Sequence, residues 1–142
     1  MTVYADTSSL VKLFVAEAGS EDVRQRVSAA DAVFSSEIAY PEVCAALARR
    51  RREGGLTTPE HQVARDAFER RWQDVMGIPA TTQLCREAGD LAEHYELRGF
   101  DGVHLASFAE MLRALRGTDD VEFSSFDDRL NSAARKLARA IG

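Results

Sequence analysis

The chain has 142 residues, 45% of them hydrophobic and 29% charged, with a formal net charge of -5. That balance is ordinary for a globular protein and suits one domain over residues 1–142; it excludes a surface coated in basic charge for nucleic acid, though not a local basic patch. Cys44 and Cys85 lie far apart without zinc spacing and read as buried free thiols, Asp6, Lys12 and Glu17 interrupt any leading apolar run, and nothing reaches membrane-span length, so a reducing cytoplasm is expected.

Residues 2–5 predict a short strand ending at Asp6, and the run DTSSLVKLF turns into a helix with Leu10, Leu13 and Phe14 inward. Gly19 stops it. Ser20 is the predicted N-cap of the next helix, with Glu21 and Asp22 at its positive end and Val23, Val27 and Ala30 on its apolar line. Residues 32–34 predict a second strand, followed by Ser35 and Ser36 as caps. A long helix is expected over residues 37–53, ended by Gly54 and Gly55; Pro41 is tolerated only in a first turn, which argues for a somewhat later start. Thr58 and Pro59 read as N-cap and first position of a helix carrying Ala67, Phe68, Trp72 and Val75. Residues 76–80 predict a third strand weakened by Gly77 and Pro79. Thr82 caps a helix with Leu84, Ala88, Leu91, Ala92 and Tyr95 inward, closed by Gly99.

Residues 100–117 predict the central helix: Leu105, Phe108, Leu112 and Leu115 recur at three- and four-residue steps. Asp119 and Asp120 read as loop residues and residues 121–124 as a fourth strand. The last helix carries Leu130, Ala133, Ala134, Leu137, Ala138 and Ile141 on one face. There is no linker, internal repeat or low-complexity stretch. Strands alternating with helices imply an α/β sandwich with a mainly parallel sheet. Right-handed crossovers put the strand ends that lead into helices on one edge, where the ligand crevice of such sheets lies. Asp6 and Asp127 both follow strands and should line it.

Asp101 lies one turn before Leu105 and shares its inward stripe. A carboxylate aimed at a core needs a partner, and few Lys or Arg residues occupy inward stripes elsewhere. Asp6, Glu42 and Asp127 stand in comparable positions. Asp6, Asp101 and Asp127 taken singly read as helix caps. Glu42 does not: it is the one charged residue between Ile38 and Ala48 and is expected beyond the first turn. As a set, the four acids point to a shared cation. Two like charges about 4 Å apart repel by roughly 4 kcal/mol at an effective dielectric near 20, so four carboxylates in one crevice require raised pKa values or a divalent ion. All-oxygen ligands suit Mg2+ or Mn2+ rather than zinc, and a water on such an ion can become a nucleophile. Asp128 competes with Asp127 for the fourth place. Ser8 and Ser125 could bond a carboxylate, a metal-held water or a phosphate, or be turn residues. His104 reads as a packed or hydrogen-bonded core histidine, with proton transfer the alternative. Lys12 and the run from Arg49 to Arg52 could touch a phosphate backbone; a solvated helix end explains the run equally.

These residues resemble the PIN-domain ribonucleases, and most closely the VapC-type toxins of bacterial toxin–antitoxin pairs. The matching pieces are ADTSSLVKLF, SSEIAYPEVCAALARR, LRGFDGVHLA and SSFDDRLNSAAR, spread in the family's order over almost the whole chain. The resemblance implies a PIN-like three-layer sandwich with a short, mainly parallel sheet of four to five strands flanked by helices. It implies that Asp6, Glu42, Asp101 and Asp127 are the catalytic acids and hold Mg2+, for which Mn2+ substitutes. Glu42 would act directly or through water, with Ser8 and Ser125 in support. Apart from the resemblance, an acidic metal site attracts an RNA backbone poorly, so basic residues should stand at the groove rim, and Lys12, Arg49 and Arg50 are the candidates for RNA binding. The resemblance further implies an endoribonuclease that is a homodimer and is inhibited by a cognate VapB-type antitoxin, whose C-terminal segment blocks the groove. Family members often add a short strand after the last helix, which leaves the sheet edge open here. Two rivals stand beside this reading. One is a non-catalytic binding module whose acids receive a partner's arginines. The other is an aspartate-nucleophile phosphoryl-transfer domain, for which DTSSL lacks a second aspartate two residues on and the fourth strand lacks a following lysine.

Overall fold

The computed structural model describes residues 1–115 and 120–142. Its elements in order are β1 (Thr2–Ala5), α1 (Thr7–Val11), α2 (Ser20–Ala29), β2 (Ala32–Ser36), α3 (Ala39–Arg52), α4 (Thr58–Trp72), β3 (Met76–Ile78), α5 (Thr82–Tyr95), α6 (Gly99–Ala114), β4 (Val121–Ser124) and α7 (Asp128–Ile141). The strands lie in the order β3-β2-β1-β4, and every pairing is parallel. β1 is buried along its whole length, and the two-residue period of a strand sends its side chains to opposite faces. Val3 and Ala5 join Leu10 of α1, Val43 and Leu47 of α3 and Phe68 of α4 on one face. Tyr4 joins Leu84 of α5, Leu105 and Phe108 of α6, and Leu130 and Leu137 of α7 on the other. Three layers result, an α/β sandwich with four strands among the described residues. None of the described helices is long and apolar enough to cross a membrane.

α5 and α6 approach closely because Gly102 has no side chain: a Cβ there would lie 2.5 Å from the Ala88 carbonyl oxygen and 3.1 Å from Ala92 Cβ.

Several element ends differ from expectation, each for a local reason. α1 stops at Val11, so Leu13 and Phe14 pack half-buried from the turn that follows. Gly19, at φ 91, is the N-cap of α2; Ser20 lies inside the helix, where its hydroxyl donates to Val15 O at 2.7 Å and accepts from Glu17 N. β2 runs on through Ser36, and Ser35 Oγ donates to Ala5 O at 2.7 Å across the sheet instead of capping. α3 starts at Ala39, in keeping with Pro41 in its first turn. Thr57 rather than Thr58 caps α4, because only Thr57 has a glutamate three residues on to complete a reciprocal capping box with Glu60. Thr81 rather than Thr82 caps α5, bonding Leu84 N. Glu96 in the left-handed conformation closes α5, and Gly99 opens α6. β3 ends at Ile78, before Pro79. Cys44 is half-buried and Cys85 exposed, which corrects the expectation of two buried thiols. Gly117, the predicted end of the central helix, and Asp119 lie outside the described residues.

Candidate active site

The cleft opens where β1 and β4 run into helices, and Asp6, the residue after β1, lines it. Asp6 follows β1, and its amide continues the ladder to Ser124 O at 3.1 Å. Its side chain caps α1: Oδ1 accepts from Ser9 N at 3.0 Å and from Ser8 Oγ at 2.7 Å, and Oδ2 accepts from Ser125 Oγ at 2.6 Å. Ser8 and Ser125 are themselves fixed, for each hydroxyl accepts an amide from the β4–α7 connection, Phe126 N and Asp127 N respectively, at 3.0 Å. Asp6 is 4% exposed and has no cationic side chain among its bonded partners. Burial dominates its ionisation and pushes its carboxyl above the usual range; the hydroxyls of Ser125 and Ser8 only partly offset this.

Glu42 sits in the first turn of α3, which corrects the expected position beyond it. Even so, it caps nothing. Its Oε1 accepts from Thr7 Oγ1 of α1 and from His104 Nε2 of α6, the latter at 2.9 Å. Burial opposes the charge of Glu42, but the bonds from His104 and Thr7 outweigh it and hold the carboxyl below its ordinary range. An ionised Oε1 can only accept, so Nε2 carries the proton, and Nδ1 faces the Tyr4 hydroxyl at 2.9 Å. Burial keeps that phenol protonated. A buried chain of bonds thus runs from β1 through α6 to α3.

Asp101 is the third residue of α6. Arg98 Nε donates to its Oδ2 at 3.0 Å. Asp127 is the N-cap of α7: Oδ1 accepts from Leu130 N at 2.8 Å, while Oδ2 lies 3.8 Å from Arg98 Nη2. Capping and cleft lining are therefore combined in one side chain. Asp6, Glu42, Asp101 and Asp127 line a single cleft of about 580 Å³ together with Thr7, Ser8 and His104. Asp128 is exposed and is not among the lining residues. Lys12, Arg49 and Arg50 stand at the same cleft. Each is already matched with an acid: Lys12 and Arg50 converge on Glu17 at 3.1 Å, and Arg49 reaches Glu53 at 2.9 Å.

Among the described residues, no three Asp, Glu, His or Cys side chains converge closely enough to grip one metal ion as they stand. Glu42 is turned to Thr7 and His104, and Asp101 to Arg98. The donor chemistry nevertheless fits a hard divalent cation: four carboxylates border one cleft, and the most buried of them lacks a countercharge. Sequence reasoning does not single out Tyr4, Thr7 or Arg98. Arg98 stands three residues before Asp101 at a helix start, a spacing visible in the sequence; its approach to Asp127 is set by the fold alone.

The PIN domain family matches residues 3–136 of the chain. Ribonuclease VapC45 of Mycobacterium tuberculosis (strain CDC 1551 / Oshkosh) is 37% identical over 132 residues, covering 93% of this chain and 88% of that protein. Ribonuclease VapC49 of Mycobacterium tuberculosis (strain ATCC 25618 / H37Rv) matches to the same extent. Ribonuclease VapC46 of the latter strain is 29% identical over 139 residues, covering 98% of this chain and 95% of that protein.

Proposed function

Since the chain belongs to the PIN-domain family and is of the VapC type, we propose that it is a ribonuclease toxin that hydrolyses RNA phosphodiester bonds with Mg2+ or Mn2+. The observation that carries this reading is the gathering of Asp6, Glu42, Asp101 and Asp127, from four separate segments, around one cleft at the carboxyl edge of the sheet. These four acids would hold the cation, Glu42 directly or through water. When bound, the ion supplies Lewis-acid polarisation of the phosphoryl oxygen and a bound water acidic enough to attack.

The protein's own groups do the rest. Ser8, Ser9 and Ser125 fix the Asp6 carboxylate from three directions, so it needs no reorganisation as a ligand. Thr7 and His104 orient Glu42. Lys12, Arg49 and Arg50 at the rim receive backbone phosphates that the acidic floor would repel. A VapB-type antitoxin inhibits by laying a C-terminal segment along this groove, and the working form is a homodimer in the cytoplasm; family membership supports these three statements.

The test is cleavage of RNA by chelator-stripped protein after Mn2+ is restored. Wild type cuts; Asp6→Asn and Asp101→Asn lose at least about a hundredfold in rate, the scale of a lost metal-ligand system, with circular dichroism unchanged. Equal rates in all three proteins, or a trapped phospho-aspartate, would overturn the reading. If only affinity for a basic partner changes, the acids belong to a binding module.

A further inference from the structure

The ribonuclease reading gives Arg98 no part, yet its guanidinium faces two of the four acids and lines the same cleft as the other two. Nε bonds Asp101 Oδ2 at 3.0 Å, and Nη2 stands 3.8 Å from Asp127 Oδ2. Among the described residues, the bond from Arg98 is the one hydrogen bond made to the Asp101 carboxylate. Asp6, by contrast, is satisfied by hydroxyls and an amide. The grip of Arg98 is loose. Its side chain is 81% exposed against 16% for Asp101. It occupies the N-cap position of α6 with extended backbone and no side-chain capping bond. Exposed ion pairs of this kind are weak and easily exchanged. A divalent cation needs the oxygens that this guanidinium covers, and two positive groups cannot share them at close range.

We propose that Arg98 is a displaceable counter-ion that neutralises Asp101 and Asp127 until a divalent cation takes its place, and so sets the free-cation concentration at which the cleft becomes competent. The proposal rests on the ribonuclease reading of the cleft. Arg98 acts through the acids and is a positioning residue. By linkage, whatever draws Arg98 off the acids raises cation affinity, and the cation in turn frees Arg98.

Calorimetric titration of Mn2+ into chelator-stripped wild type, Arg98→Gln and Arg98→Lys tests this, with Asp6→Asn as the reference for site binding. Arg98→Gln should bind Mn2+ roughly three- to fivefold more tightly than wild type, the scale of an exposed ion pair removed from competition. Arg98→Lys should fall between them, since lysine keeps the charge but loses the planar fork. A residue that merely supports the fold would weaken binding when replaced. Affinity in Arg98→Gln equal to or below wild type, with wild-type binding lost in Asp6→Asn, overturns the proposal and leaves the ribonuclease reading standing. No site-dependent Mn2+ binding in any variant overturns both.

Discussion

Asp6 is buried with only neutral donors bonded to it. Its carboxyl titrates above the ordinary 3.8 because desolvation outweighs the hydrogen bonds. A raised carboxyl pKa means that the fold prefers the protonated form. Its contribution to stability is therefore complete below pH 3.8 and is lost as pH rises through the folded value. In chelator, Asp6→Asn should consequently melt above wild type at neutral pH, and the gap should close as pH falls toward the unfolded value; thermal melts across a pH series read this directly. His104 makes the opposite case. Replacing it by alanine removes the partner of the buried Tyr4 hydroxyl, which costs on the order of 1–3 kcal/mol, and leaves Glu42 Oε1 with the bond from Thr7 alone. His104→Ala should lower the denaturant midpoint and slow RNA cleavage, while His104→Gln, which retains a donor for Glu42, should recover part of both. The acids themselves are legible in the sequence because each ends a strand or interrupts an apolar segment. Thr7 and Tyr4 are not, since their bonds to Glu42 and His104 join residues far apart along the chain, and neither is the approach of Arg98 to Asp127, although its spacing from Asp101 is.

At the scale of elements, periodicity locates every helix and strand, and the errors fall at their ends. Adjacent threonines at 57–58 and 81–82 offer two candidate caps each, and the choice is made by a bond three residues onward. Glycine misleads where another residue accepts the left-handed turn: Glu96 closes α5, freeing Gly99 to begin α6. The glycine that matters for the site is Gly102, whose missing Cβ lets α6 lie against the α5 backbone one residue after Asp101. Gly102→Ala would force the Ala88 carbonyl away, at a cost of about 1–3 kcal/mol for overpacking. The expected outcome is a lower unfolding midpoint together with reduced cleavage, because the shift displaces Asp101 and His104 on the same helix. A variant that melts lower but cuts normally would show that the helix contact does not set the site.

For the whole molecule, the net charge of -5 conceals a divided surface: acids floor the cleft while Lys12, Arg49 and Arg50 stand at its edge, each leashed to a neighbouring glutamate. Composition reveals the sum and not this division, just as it reveals layers but not the strand order β3-β2-β1-β4. Replacing Arg49 and Arg50 together by glutamine should weaken RNA binding uniformly across sequences. It should also flatten the logarithmic salt dependence by roughly 0.7 for each phosphate that is no longer neutralised; anisotropy titrations over a salt series would measure both. The central place of β1 has a consequence for how the protein is made. Its first neighbour, β2, is synthesised soon after it, but its other neighbour, β4, and the hydroxyl of Ser125 that steadies Asp6 come 119 positions later. While the ribosome is still reading the message, Asp6 has left the exit tunnel and its companions have not been added. An Asp6 carboxylate steadied by Ser125 therefore cannot form on a nascent chain until β4 and the residue that follows it have been made.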